Sequence, residues 1–214
     1  MDEEITIIDT NTRNEKIKNF FINNKKNFII GTSIIIIGLI VFFTFEKTNE
    51  RNKIKLANKF NSITIDFKTD ATQKTINELI DIINHNDATY SPLALFFLLD
   101  NNLMKNNIQT NKLFDELINK TNLEKEIKNL IIYKKALFNS NFVTENDLLK
   151  ALNPIINSES VWKSHALYLL AEYFYSKNED QKAKEFFNQI LSLPNVNNEI
   201  KIESQKRINR DLSE

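Results

Sequence analysis

The chain has 214 residues, no net formal charge, no Cys, and only two Gly, Gly31 and Gly38, both inside one apolar run near the N-terminus. Phosphate-cradling loops, dinucleotide fingerprints and nucleophile elbows all need Gly at tight turns or close backbone approaches, so none is encoded after Phe45. Zero Cys removes disulfides, zinc–thiolate sites and thiol catalysis. The 23 basic and 23 acidic side chains of residues 46–214 are mixed in sign, which argues against a nucleic-acid surface.

The first 27 residues are mixed in charge and rich in Asn, a composition expected to lack regular structure. Phe28 to Phe45 reads FIIGTSIIIIGLIVFFTF, 18 residues without a charge. As a helix it covers roughly 27 Å, near the thickness of bilayer hydrocarbon. Lys25 and Lys26 precede it and Glu46 and Lys47 come after it, as expected of residues held at the two interfaces. No small-x-small cleavage site follows Phe45, so an uncleaved signal anchor is expected. Lys and Arg are tied across the span: Arg13, Lys16, Lys18, Lys25 and Lys26 before it, and Lys47, Arg51, Lys53, Lys55 and Lys59 after it. The short tail with lysines against the span favours an N-terminus in the cytoplasm, with residues 46–214 translocated across a bacterial inner membrane. Gly31 and Gly38 are seven residues apart, hence on one helix face, and are candidates for close packing with another transmembrane helix.

Beyond the span, apolar residues recur at three and four positions and predict a string of helices. The first covers 47–68, with Ile54, Ala57, Phe60, Ile63 and Phe67 inward. Asp70 is expected to cap 71–84, and Ser91-Pro92 to open 91–105. Helices over 110–120 and 122–139 come next. Thr144-Glu145-Asn146-Asp147 resembles a capping box that opens 144–153, with Pro154 disrupting its end. Ser158 or Ser160 starts a helix to about 177, its partner covers 179–192, and a charged terminal helix covers 198–212. Short connections make consecutive helices antiparallel neighbours, and a helix–turn–helix unit recurs at roughly 33–35 residues.

Leu169 to Leu191, LLAEYFYSKNEDQKAKEFFNQIL, resembles a tetratricopeptide repeat. Leu170, Ala171 and Phe174 match its first helix, and Ala183 and Phe187 its second. Asn178 replaces the usual turn Gly, Ile190 replaces a usual Ala, and Pro194 is one position early. The fold expected is all-α: one N-terminal transmembrane helix (28–45) after a short tail (1–27), then a tetratricopeptide-like α-solenoid of about four helix pairs with a C-terminal capping helix (46–214). A plain helical bundle is the alternative.

This layout resembles the bacterial YfgM-like family, ancillary subunits of the Sec translocon. The resemblance implies a periplasmic domain whose partners are Sec translocon subunits and a periplasmic chaperone. It implies no cofactor and no small-molecule substrate.

Chemistry-bearing constellations are sparse. His85 and His165 are 80 residues apart and form no helix-borne metal spacing. No catalytic, cofactor or metal residues are assigned, and an enzyme is not expected. On the helix ending near 177, Val161, His165, Tyr168, Glu172 and Tyr175 succeed one another at spacings of 4, 3, 4 and 3 and share one face. In the repeat register, His165, Tyr168, Glu172 and Tyr175 fall where tetratricopeptide proteins line their concave groove. Two readings stand: a protein-binding groove, or rings packed against the preceding or terminal helix.

Overall fold

The computed structural model describes residues 2–65, 67 and 72–213, with side chains from residue 12 onward. Among these residues all regular structure is helical, in ten helices. The chain divides into two compact units, Met1–Lys55 and Leu56–Glu214.

In the first unit, α1 (Asp2–Asn23) is helical where the composition suggests no regular structure. Neither Gly nor Pro interrupts it. Asn24 joins it to α2 (Lys25–Ile65): the Asn24 N–H donates to the Phe20 carbonyl and the Phe28 N–H to the Asn24 carbonyl, each at 3.0 Å. The 41 residues of α2 include the apolar run and continue through the segment expected as a separate helix over 47–68. No Gly or Pro occurs between Phe45 and Ile65 to break it. The end expected at 68 falls partly outside the described residues. The helix is long and apolar enough to cross a membrane. Its hydroxyls turn back onto the ladder, Thr32 to the Phe28 carbonyl, Ser33 to that of Ile29 and Thr44 to that of Ile40, each at 2.8 Å. No hydroxyl among them requires a partner from its surroundings, which suits a lipid environment.

The second unit begins with the last turns of α2, where Leu56 is buried and Phe60 and Ile63 pack inward. The helix α3 (Gln73–Asn84) is capped by Thr72, whose Oγ1 accepts the Thr75 N–H; the expected cap, Asp70, lies outside the described residues. Next, α4 (Tyr90–Asp100) starts one residue before Ser91, because Asp87 Oδ1 accepts the N–H groups of Thr89 and Tyr90 at 2.9 and 2.7 Å. Ser91, instead of capping, is fully buried. Asn106 caps α5 (Asn107–Lys120) through the Ile108 and Gln109 N–H groups, which starts the helix three residues before the expected 110.

Then come α6 (Lys125–Asn139) and α7 (Glu145–Ile156). Thr144 caps α7 as expected, accepting the Asp147 N–H, but the box does not close reciprocally. The short Asp147 carboxylate takes the Thr144 hydroxyl at 2.7 Å instead of reaching the Thr144 backbone. Pro154 lies inside α7 rather than ending it, and the Asn157 N–H still reaches the Asn153 carbonyl. One missing donor in a last turn is tolerated where a mid-helix one is not. The remaining helices are α8 (Lys163–Ser176), α9 (Asp180–Leu191) and α10 (Asn198–Asp211). Ser160 does not open α8 but ties the preceding turn to α6: its hydroxyl donates to Glu126 Oε2 at 2.7 Å and accepts from Asn129 Nδ2 at 3.0 Å.

Each helix from α3 to α10 packs on the next, and α3/α5, α6/α8 and α8/α10 also touch. Two apolar clusters result. Leu79, Ile82, Leu95, Leu98, Phe114 and Ile131 lie in one. Leu152, Leu170, Phe174, Ala183 and Phe187 lie in the other, with Ala136. The helix α6 thus feeds both, through Ile131 and Ala136.

Candidate protein-binding surface

Four members of the stripe read from the sequence, His165, Tyr168, Glu172 and Tyr175, lie on α8, and each has a defined neighbour. His165 packs edge-on to Tyr133 of α6 at 5.8 Å and tilted against Trp162 at 5.0 Å, with Tyr133 and Trp162 themselves stacked at 6.1 Å. Its buried Nδ1 has no hydrogen-bond partner, and burial lowers the imidazole pKa below its ordinary value. Tyr168 meets Phe187 of α9 edge to face at 5.7 Å. Burial raises its phenol pKa, with the Glu172 carboxylate adding to the effect and Arg207 opposing it.

Glu172 and Tyr175 are engaged by α10. Arg207 donates from Nε and Nη2 to the two Glu172 oxygens at 2.9 and 2.8 Å, and its guanidinium lies 4.9 Å over the Tyr175 ring. A third bond, from Nη1, reaches Asp211 Oδ2 at 3.0 Å. Burial pulls the guanidinium pKa down; the Asp211 hydrogen bond and the Glu172 charge more than offset it, so the net shift is upward. Asp211 is held well below the ordinary carboxylate range by hydrogen bonds from Arg210 and then Arg207. The four residues are thus brought together, but α10 lies over Glu172 and Tyr175. Val161 at the head of the stripe is open to solvent, 69% exposed.

Gly31 and Gly38 face open space: a Cβ built at either meets nothing within 4 Å. His85 ends α3, its Nδ1 2.7 Å from the Asp81 carbonyl. Among the described residues, no three His, Asp or Glu side chains gather as a metal site.

A second surface carries no motif in the sequence. A groove of about 510 Å³ opens between α5, α6 and α7. Ile118, Ile132, Ala136, Val143, Leu148 and Pro154 supply apolar lining. Four of its polar members are paired among themselves, and the fifth, Asp147, holds the Thr144 hydroxyl outside the lining. Asn111 and Asn139 exchange reciprocal amide hydrogen bonds at 2.9 and 2.7 Å, and Lys135 meets Asp115 at 2.7 Å. These pairs join residues 28 and 20 positions apart, which local periodicity does not reveal. The only sequence signal is the pair of small residues, Ala136 and Ala151, that leave room between the helices. The arrangement offers an apolar floor to side chains of another protein, with Asn111–Asn139 and Lys135–Asp115 already paired at its edge.

No protein-family model, curated protein or solved structure matches this chain.

Proposed function

We propose that the chain is a membrane-anchored protein–protein interaction adaptor. Phe28–Phe45 crosses the bilayer with the N-terminus cytoplasmic, and the helical domain presents a binding groove in the periplasm beside a bacterial inner membrane. The groove between α5, α6 and α7 is the observation that carries this reading. Its floor is largely apolar, and two polar pairs at its rim are already formed.

A tetratricopeptide-like solenoid is supported by the spacing of alternate helices. Those that begin at Tyr90, Lys125, Lys163 and Asn198 are 35, 38 and 35 residues apart. In that arrangement α10 stands where the first helix of a further repeat would lie, and acts as a cap. A partner that uses His165, Tyr168, Glu172 and Tyr175 has to displace Arg207.

The layout shared with the YfgM-like family makes Sec translocon subunits and a periplasmic chaperone the expected partners. The reading includes no cofactor, nucleic acid, substrate or catalytic role. Crosslinking in native membranes followed by mass spectrometry tests it. Recovery of Sec subunits with a periplasmic folding factor is the expected result. Recovery of only cell-division or outer-membrane assembly proteins points to a structural scaffold of another envelope complex. Degradation of the helical domain by protease added to inverted inner-membrane vesicles, and its protection in spheroplasts, would overturn the orientation.

A further inference from the structure

The stretch where α1 meets the apolar run of α2 carries a feature that an adaptor role leaves unused. Phe20, Phe21 and Phe28 form a ring cluster, Phe21 stacked on Phe28 at 4.8 Å and Phe20 edge-on to Phe28 at 5.9 Å. All three are exposed, Phe20 by 57%. Beside them a groove of about 450 Å³ runs along the helix, lined by Phe21, Lys25, Phe28, Ile29, Thr32 and Ser33. Backbone bonding continues through Asn24, so Lys18, Phe21, Lys25, Phe28 and Thr32, spaced 3, 4, 3 and 4, lie along one face. The Thr32 and Ser33 hydroxyls are bonded to the Phe28 and Ile29 carbonyls, so the groove does not ask for a polar occupant at depth.

Charge supplies the other half of the site. Residues 12–27 contain Arg13, Lys16, Lys18, Lys25 and Lys26 against the single acid Glu15. On the far side of the apolar run, Glu46 and Glu50 alternate with Lys47 and Arg51. A groove that starts at a lysine and continues into an apolar span matches an amphiphile with an anionic head. Lysine ammonium groups at headgroup depth attract anionic lipid, and aromatic rings settle at the same depth.

We propose that Lys18 and Lys25, with the groove between Phe21, Phe28 and Thr32, bind an anionic membrane phospholipid. Its phosphate lies at the two ammonium groups, and one acyl chain runs along Phe28, Ile29 and Thr32. The site rests on the reading of α2 as a transmembrane helix. Alkaline carbonate extraction of membranes holding the full chain tests that reading separately: release into the supernatant removes the span, and retention preserves it.

The site itself is tested by native mass spectrometry of the full chain in a neutral detergent, titrated with phosphatidylglycerol or phosphatidylcholine of the same acyl chains. The parent is expected to retain phosphatidylglycerol preferentially, by about tenfold or more. Lys18→Gln with Lys25→Gln should bring the two lipids to near parity, whereas Lys53→Gln with Lys55→Gln should leave the preference unchanged. Equal retention of the two lipids by the parent overturns the site. So does an unchanged preference in the Lys18/Lys25 variant, or an equal loss in the Lys53/Lys55 variant, which would make the effect one of overall charge.

Discussion

Asn178 holds its backbone at φ 59°, in the left-handed region that L side chains other than Asn seldom enter. It stands just past α8, where its N–H donates to the Tyr175 carbonyl and the next N–H, of Glu179, reaches back to Phe174. That pair of bonds closes the helix, and Asn102 repeats it after α4 with Leu99 and Leu98. Asn86 begins the same closure after α3, but here Ser91 is inserted: its hydroxyl accepts the Asp87 N–H at 2.9 Å and donates to the Ile82 carbonyl at 2.8 Å. The use of Asn in place of Gly was legible in the composition. The serine bridge was not, because Ser91 stands in α4 while the carbonyl it reaches, that of Ile82, belongs to α3. Asn178→Ala should lower stability by about 1–2 kcal/mol while Asn178→Gly stays near the parent, read by chemical denaturation. Ser91→Ala leaves the buried Ile82 carbonyl and the half-buried Asp87 N–H without their partner and should cost about 1–3 kcal/mol on the same measurement. His165 gives a pH signature. Its folded pKa lies below the unfolded value of about 6.5, so the unfolded chain takes up the proton first as pH falls. Its contribution to stability is present above that value and is lost downward until the lowered folded pKa is passed. His165→Phe should therefore flatten part of the fall in melting temperature between about pH 7 and pH 5; an unchanged slope would mean that the imidazole is not held neutral.

At the scale of helices, apolar periodicity located most elements, while capping chemistry and neighbours set their ends. Asn106 and Asp87 started α5 and α4 earlier than the apolar pattern alone indicated, and Pro154 was absorbed into the last turn of α7. The spacing of His165, Tyr168, Glu172 and Tyr175 puts them in succession along α8, but spacing carries no information about what lies over them. That is decided by Arg207, 35 residues beyond Glu172. The pair is largely shielded, with the side chains 27% and 28% exposed. Arg207→Ala should cost about 1–2 kcal/mol, because it leaves Glu172 and Asp211 without their shared cation and uncovers Tyr175. Tyr168→Ala with Tyr175→Ala should lower the melting temperature, since the rings pack on Phe187 and Arg207. A double variant that melts like the parent but fails to capture its partner would place the rings on the binding surface instead.

For the molecule as a whole, the long apolar helix was readable from 18 uncharged residues, and so was the helical character of residues 72–213. The α5–α6–α7 groove was not readable, because it is formed by the space that three helices leave rather than by a motif on any one of them. The proposed adaptor role stands or falls on whether this groove receives another protein at the membrane. A photo-reactive amino acid placed at Ala151, on the groove, and at Gln189, on the exposed side of α9, tests it in intact membranes. The expected result is a discrete adduct with one partner protein from Ala151, lost when Ala136→Phe fills the groove and absent from Gln189. Equal, diffuse labelling from both positions, or an Ala151 adduct that survives Ala136→Phe in a folded chain, would contradict it.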